Sequence, residues 1–492
     1  MMVDWFGMWG DIPYFTEFIT TLFIVNLLIA FTIIFLERKN PSAALAWIMI
    51  LFLLPIAGIV LYFLFSQNIA RKKIFRLTSS EERALSESLR IQLEDIKSGN
   101  FSFVNPEAEE WKDLIHLNGL YGGSFYTQNN SVSILTGGKH KFRSLMRDIK
   151  NAKSSINIMY FIIKNDAVGR RFLQALTQKA REGVEVRLLL DAMGSRQIND
   201  RVLGDFIRAG GKRAYFFPPK LKFINVRFNY RNHRKLAVID GSIGYIGGFN
   251  IAREYLGMKK KFGFWRDTHL RVTGNCVHDI NARFLLDWRF ASKEKLVLSQ
   301  AFYSDVIDGG KSGVQIVSSG PDSQRVAVKR AYMKMITSAR KNVYLQTPYF
   351  VPDESILESL KMAAQSGVDV RIMIPCMPDH IFVYWATYSY VGELIQSGGR
   401  AYIYNNGFLH AKTLMVDGEV ASVGSANFDR RSFVLNFEAN AIIYDAREAR
   451  KLEAIFEKDM ESCHELTREL YAERSLWIRC KEGVARLLSD IL

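Results

Sequence analysis

Residues His233 to Asp240 read H-x-K-x-x-x-x-D, and His410 to Asp417 read the same. The copies continue in step, since Gly247 and Asn250 follow Asp240 at the spacing at which Gly424 and Asn427 follow Asp417. A lone His–Lys pair fits an exposed strand edge. A doubled set with matching downstream Gly and Asn is a duplicated catalytic half-site: His233, Lys235 and Asp240 in one copy, His410, Lys412 and Asp417 in the other. Each copy brings one imidazole, one ammonium and one amide. Together they suffice for metal-free phosphodiester transfer, in which one imidazole attacks phosphorus and the other protonates the departing alcohol. With an ordinary pKa near 6.5, a histidine can play either part at neutral pH. Lys235, Lys412, Asn250 and Asn427 would hold the non-bridging oxygens. The sequence shows no carboxylate cluster suited to a metal, and no cofactor is expected.

The chain must bring these groups together. Alternation in Lys235–Ile239 and Lys412–Val416 suits strands, in which residues two apart share a face, so each His and its Lys point the same way. Each imidazole needs an acceptor on its other nitrogen. The expected acceptors lie downstream in the same half: Asp267 for His233 and Glu438 for His410. Asp240 and Asp417, though part of the motif, read better as fixing the turn after each strand.

The flanking segments repeat as well. Ser155–Phe161 reads as a buried strand by its β-branched and aromatic content, and Arg171–Arg181 as a helix with Phe172, Leu173, Leu176 and Ala180 on one face. Gly183 ends that helix, and Val184–Leu190 is a second strand. The later half repeats this as strand Asn342–Leu345, helix Ser355–Gln365, Gly367 and strand Val368–Ile374. Strand–helix–strand order implies an α/β sandwich in each half. The expected divisions are a membrane anchor over 1–75, a helical connector over 76–120, and the two halves over 121–300 and 301–492.

Two apolar runs, Phe18–Leu36 and Ala43–Phe65, are each long enough to span a bilayer, which takes about 20 residues. A cleaved signal peptide is disfavoured, because Asp4, Asp11 and Glu17 precede or open the first run with no Lys or Arg. A transmembrane helical hairpin is the expectation. Arg71, Lys72, Lys73 and Arg76 outnumber Arg38 and Lys39 in the intervening loop, which puts the catalytic part in the cytoplasm. The net charge of +15 is carried wholly beyond these runs and favours a polyanionic partner, whether nucleic acid or an anionic bilayer. Cys276, Cys376, Cys463 and Cys480 form no C-x-x-C pair and read as reduced thiols.

The motifs resemble the phospholipase D superfamily and, more narrowly, bacterial cardiolipin synthases. Arg231–Lys235, Gly247–Ile251, Glu254–Gly257 and Trp265–His269 look like that family's first signature block. Gln346–Pro352, Gly407–Lys412 and Gly424–Phe433 look like the second, and Leu45–Trp47 with Leu54–Gly58 its amino end. Gly248 stands where the second half has Ser425, a departure not expected to touch the chemistry. The resemblance implies two α/β/α sandwiches related by a pseudo-twofold behind the anchor, and no nucleic acid as partner. It implies that two molecules of phosphatidylglycerol, an anionic phospholipid, give cardiolipin and glycerol through a phosphatidyl-histidine at the bilayer surface. It also favours His233 as nucleophile and His410 as general acid and base. Arg231 and Arg234 around His233 are expected to hold it neutral. A hydrolase, a transferase using serine- or ethanolamine-bearing acceptors, a nuclease and a non-enzymatic lipid scaffold are the competing readings.

Overall fold

The computed structural model describes residues 14–36, 41–65, 74–75, 77–218, 229–296 and 310–487. Arg38, Lys39, Arg71, Lys72, Lys73 and Arg76, on which the sidedness expectation rests, lie outside these segments. The chain divides into two compact units, one of Met1–Ile69 with Pro219–Asn229 and one of the remainder.

In the first unit α1 (Phe15–Phe31) runs on through a π-helical turn, Thr32–Leu36. Two of its polar interruptions are satisfied internally: the Thr20 and Thr32 hydroxyls donate to the carbonyls of Thr16 and Leu28, one turn back. Among the described residues this is the one helix long and apolar enough to cross a membrane, over Thr16–Phe35. The second apolar run does not form the single helix expected of it. It forms α2 (Pro41–Leu53) and α3 (Pro55–Phe65), broken at Leu54. Pro55 supplies no N–H, and its ring crowds the carbonyl four residues back. Gly58 then lets α3 close on α2, for a Cβ there would stand 2.9 Å from the Ile50 carbonyl oxygen.

The second unit opens with α4 (Ser79–Ser98), started by a capping box between Thr78 and Glu81. The first half then contributes β1 (Tyr126–Gly137), β2 (Ser155–Tyr160), β3 (Glu185–Asp191), β4 (Lys212–Phe216), β5 (Leu236–Ile239), β6 (Ile243–Gly247) and β7 (Trp265–Thr273). The second contributes β8 (Ser312–Ser319), β9 (Asn342–Gln346), β10 (Phe350–Val351), β11 (Asp369–Pro375), β12 (Arg400–Tyr404), β13 (Phe408–Leu409), β14 (Thr413–Val416), β15 (Val420–Gly424), β16 (Phe428–Asp429), β17 (Glu438–Tyr444) and β18 (Cys463–Glu465). Strand order is β4-β3-β2-β5-β6-β7-β1 in the first half and β12-β11-β9-β14-β15-β17-β8 in the second. The two orders are the same order twice. β1 pairs antiparallel with β8, so both halves share one sheet.

Helices cover both faces. The crossover α5 (Ala167–Arg181) begins about one turn before the amphipathic stretch suggested, because the Asp166 carboxylate caps the Val168 and Gly169 amides. Its Phe172 and Leu176, both 0% exposed, pack with Ile156, Ile158, Val186 and Leu188 of β2 and β3. Each such side chain stabilises the fold by roughly 1.5–3 kcal/mol. On the opposite face of β2, Asn157 donates to Asn281 of α6 (Cys276–Ser292). In the second half α7 (Glu354–Gln365) packs Ile356, Leu357 and Leu360 with Val343, Leu345 and Val370. From the other side Phe456 of α8 (Ala446–Met460) stacks on Tyr344, ring centres 5.0 Å apart. Each half is an α/β/α sandwich.

Candidate active site

His233 and Lys235 immediately precede β5, and His410 and Lys412 immediately precede β14. These lead-in segments reach across to the other half. His233 N–H donates to the Phe437 carbonyl at 2.9 Å, just ahead of β17, while Phe437 N–H donates to Arg231. In the mirrored arrangement β13 pairs parallel with the start of β7, and His410 N–H donates to the Arg266 carbonyl at 2.6 Å. Each histidine therefore lies beside an acid at the start of a strand of the opposite half, His233 beside Glu438 of β17 and His410 beside Asp267 of β7.

The acid–histidine pairs are accordingly crossed. His233 Nδ1 donates to both oxygens of Glu438, at 2.9 and 3.1 Å, and His410 Nδ1 donates to Asp267 Oδ2 at 2.6 Å. The sequence expectation had paired each histidine within its own half. Both carboxylates are fully buried. A carboxylate only accepts, so Nδ1 carries the hydrogen in each ring; Nε2 then offers a lone pair when the ring is neutral and a second N–H when it is protonated. Lys235 Nζ donates to the His233 carbonyl, and Lys412 Nζ donates to the His410 carbonyl at 2.5 Å while standing 3.0 Å from His410 Nδ1. This puts each ammonium on the same side as its histidine.

The electrostatics mark one shared site. Burial, then Lys235 and Lys412, push His233 down to about 4 against the opposing pull of Glu438. His410 is also lowered, by burial and Lys412. Burial brings Lys235 down to about 7 and Lys412 to about 8, and each feels both Glu438 and Asp267. Burial would raise the two acids, but the cations beside them more than offset it and both stay below their usual range. The arginines are not what keeps His233 neutral. Arg234 turns into the core, where it is paired with Asp287 at 2.7 Å, and Arg231 faces Asp191 at 3.9 Å.

Asn250 and Asn427 are both buried. Asn250 Oδ1 accepts from the Ile162 amide and its Nδ2 donates to the Tyr255 hydroxyl, between Phe161, packed on His233, and Tyr255, packed near His410. Asn427 Nδ2 donates to Asp429 at 3.1 Å. Asp240 and Asp417 stand at the far ends of β5 and β14. Asp240 accepts from the Lys153, Ser154 and Ser155 amides, and Asp417 from those of Arg340, Lys341 and Asn342. Both adopt left-handed backbone, φ 52° and 57°, which the short polar side chain of Asp tolerates. They hold the turns and do not reach the histidines. Among the described residues no group of three His, Cys, Asp or Glu side chains is placed to hold a metal ion.

The family described as cardiolipin synthase, PLD-like domain, matches residues 145–269 and 332–460. A second, described as phospholipase D-nuclease N-terminal, matches residues 24–67. The major cardiolipin synthase of Bacillus subtilis is 48% identical over 96% of this chain and 98% of its own length. A cardiolipin synthase of Listeria monocytogenes is 50% identical, again over 96% of this chain and 98% of its own. The chain belongs to the cardiolipin synthase family. Cardiolipin synthases of this kind are phosphatidyltransferases of the phospholipase D superfamily. A crystal structure of phosphatidylserine synthase from Haemophilus influenzae shares the fold, with a TM-score of 0.57 at 14% identity over 73% of this chain and 92% of that one.

Several residues of this cardiolipin synthase site escaped the sequence reading. Ser425 Oγ donates to Glu438 at 2.5 Å and Asn436 Nδ2 donates to it at 3.2 Å, so the acid behind His233 is held from three directions. The Gly248–Ser425 difference therefore does touch the chemistry. Asp267 is one methylene shorter and lies against the backbone, taking the Thr268 amide at 2.7 Å. A Cβ on Gly248 would stand 2.0 Å from its Oδ1. The signal was visible as a mismatch between the copies, but its meaning needed the crossed pairing.

Proposed function

We propose that the protein makes cardiolipin and glycerol from two molecules of phosphatidylglycerol, through a covalent phosphatidyl-histidine. His233 Nε2 attacks the phosphorus of the first lipid, and the bond to the headgroup glycerol breaks. His410, which enters this step as an imidazolium with its Nδ1–H on Asp267, gives that departing oxygen its Nε2 proton. The terminal hydroxyl of a second phosphatidylglycerol then loses its proton to His410 and attacks phosphorus, and the bond to His233 breaks. Each step returns the proton it uses. Lys235, Lys412, Asn250 and Asn427 carry the charge on the non-bridging oxygens, strongest where it grows in the transition state.

The observation that carries this reading is the pair of crossed acid–histidine contacts on one buried site, with an ammonium beside each ring. Burial and the two lysines favour the neutral His233 that attack requires. The apolar α1 supports an enzyme held at the bilayer, and the basic residues that follow the second apolar run support a cytoplasmic catalytic part. We take residues 1–75 as anchor, 76–120 as connector, and 121–300 and 301–492 as the two halves of the transferase. Purified protein supplied with phosphatidylglycerol alone should yield cardiolipin and glycerol in equal amounts. Phosphatidic acid as the main product would replace this reading with a hydrolase.

A further inference from the structure

The bent pair α2 and α3 answers a question that the two apolar runs left open. Trp47 and Tyr62 are fifteen positions apart, a separation of about 22 Å along a straight helix. Their rings are 5.6 Å apart in an edge-on contact. The chain therefore folds back on itself at Leu54. At about 1.5 Å per residue, the 13 residues of α2 and the 11 of α3 reach about 20 and 16 Å, roughly two-thirds and half of the about 30 Å bilayer core. The 20 residues of Thr16–Phe35 reach its full thickness.

The fold-back sits at a defined depth. Asn26 lies midway along Thr16–Phe35, and its side-chain amide donates to the Pro55 carbonyl at 3.3 Å, beside the break. Non-helical backbone at that depth is tolerated where protein satisfies it: Leu54 N–H donates to the Ile50 carbonyl and the Leu54 carbonyl accepts from Gly58 N–H, with Asn26 bonded to the next carbonyl. Ile29 and Ile33, later on α1 and its extension, pack with Leu51, Ile59 and Tyr62. The stems thus run along the later half of α1. At the tip, Phe52, Leu53 and Ile56 are 79%, 67% and 58% exposed, with no charge among them.

We propose that α2 and α3 form a re-entrant hairpin seated in the acyl chains of one leaflet, so that the chain crosses the bilayer once, along α1. Charge fits this path. The residues before α1 carry Asp4 and Asp11 and no Lys or Arg, whereas Arg38, Lys39, Arg71, Lys72, Lys73 and Arg76 all follow it. Two full spans would split these six bases across the membrane. The hairpin puts them all on one side.

Single cysteines at Asp11, Asn40 and Gln67 test the path in the full chain. Cys376, Cys463 and Cys480 are first replaced by serine, Cys276 being fully buried. Each variant is checked for lipid turnover and then exposed to a membrane-impermeant maleimide in intact spheroplasts. Asp11→Cys should react from outside, and Asn40→Cys and Gln67→Cys only after permeabilisation. Reaction of Asn40→Cys from outside, with Asp11→Cys and Gln67→Cys protected, would establish two full spans and overturn the proposal. So would all three reacting from one side. An epitope at the amino end gives a second readout: protease added outside should remove it, and its survival would also overturn the proposal.

Discussion

Neutralising the two buried acids one at a time should give different defects, because each serves the histidine of the other half. In Glu438→Gln, His233 loses a two-pronged carboxylate contact at 2.9 and 3.1 Å; in Asp267→Asn, His410 loses one at 2.6 Å. A hydrogen bond to a charged group contributes about 1.5–3 kcal/mol. At 1.36 kcal/mol per decade, each change should slow turnover of phosphatidylglycerol by about 10- to 150-fold. The assay that separates them uses the nitrophenyl ester of phosphatidic acid, whose leaving group needs no proton. Nitrophenolate release in a single turnover then depends on the nucleophile alone. Asp267→Asn should recover to near the unsubstituted rate with this ester, and Glu438→Gln should stay slow. The reverse pattern, with covalent lipid still mapped to His233, would refute the crossed pairing as the functional one. The reverse pattern with lipid mapped to His410 would refute only the division of labour between the rings.

Gly248→Ala should lose about 100-fold or more in activity, because its Cβ would meet Asp267 Oδ1 at 2.0 Å, whereas Ser425→Ala, which leaves Glu438 its other two partners and costs about 1.5 kcal/mol, the low end for a bond to a charged group, should lose about 10-fold. Equal losses in the two would count against this account. Lys235 and Lys412, brought down to about 7 and about 8, lose their charge as pH rises through that range, so kcat/KM should fall above about pH 7–8 while His233 stays competent well below pH 6. A kcat/KM profile flat to pH 9 would contradict it. Asp240→Ala strands three amides at the start of β2 and should cost about 2–3 kcal/mol, seen as a lowered Tm with kcat retained in the folded enzyme. Loss of kcat with an unchanged Tm would give Asp240 a chemical part instead.

Much of this arrangement was legible in the residues. Duplication exposed the halves because spacing between His233, Asp240, Gly247 and Asn250 survives when copied, and periodicity exposed β2, β3 and α5 because burial on one face dictates residue type. Other features depended on distance across the fold. Glu438 and Asp267 were recognisable as partners for histidines, but which served which turns on Phe437 pairing with Arg231 and Leu409 with Arg266. Arg234 looked like a charge on His233 until its partner Asp287, on α6, could be seen. In the anchor, composition alone made Ala43–Phe65 a span, since a hydropathy count does not register that Pro55 and Gly58 together permit a fold-back.

The exchange of acids between the halves also sets a schedule for synthesis. The ribosome delivers α1 and then His233 well before Glu438, 205 residues later, whose carboxylate fixes the tautomer of His233. Until β17 docks, His233 lacks the carboxylate that fixes its orientation. A nascent polypeptide that has emerged only as far as His233 therefore lacks the carboxylate that orients that ring. The catalytic pair is complete only once both halves have been made.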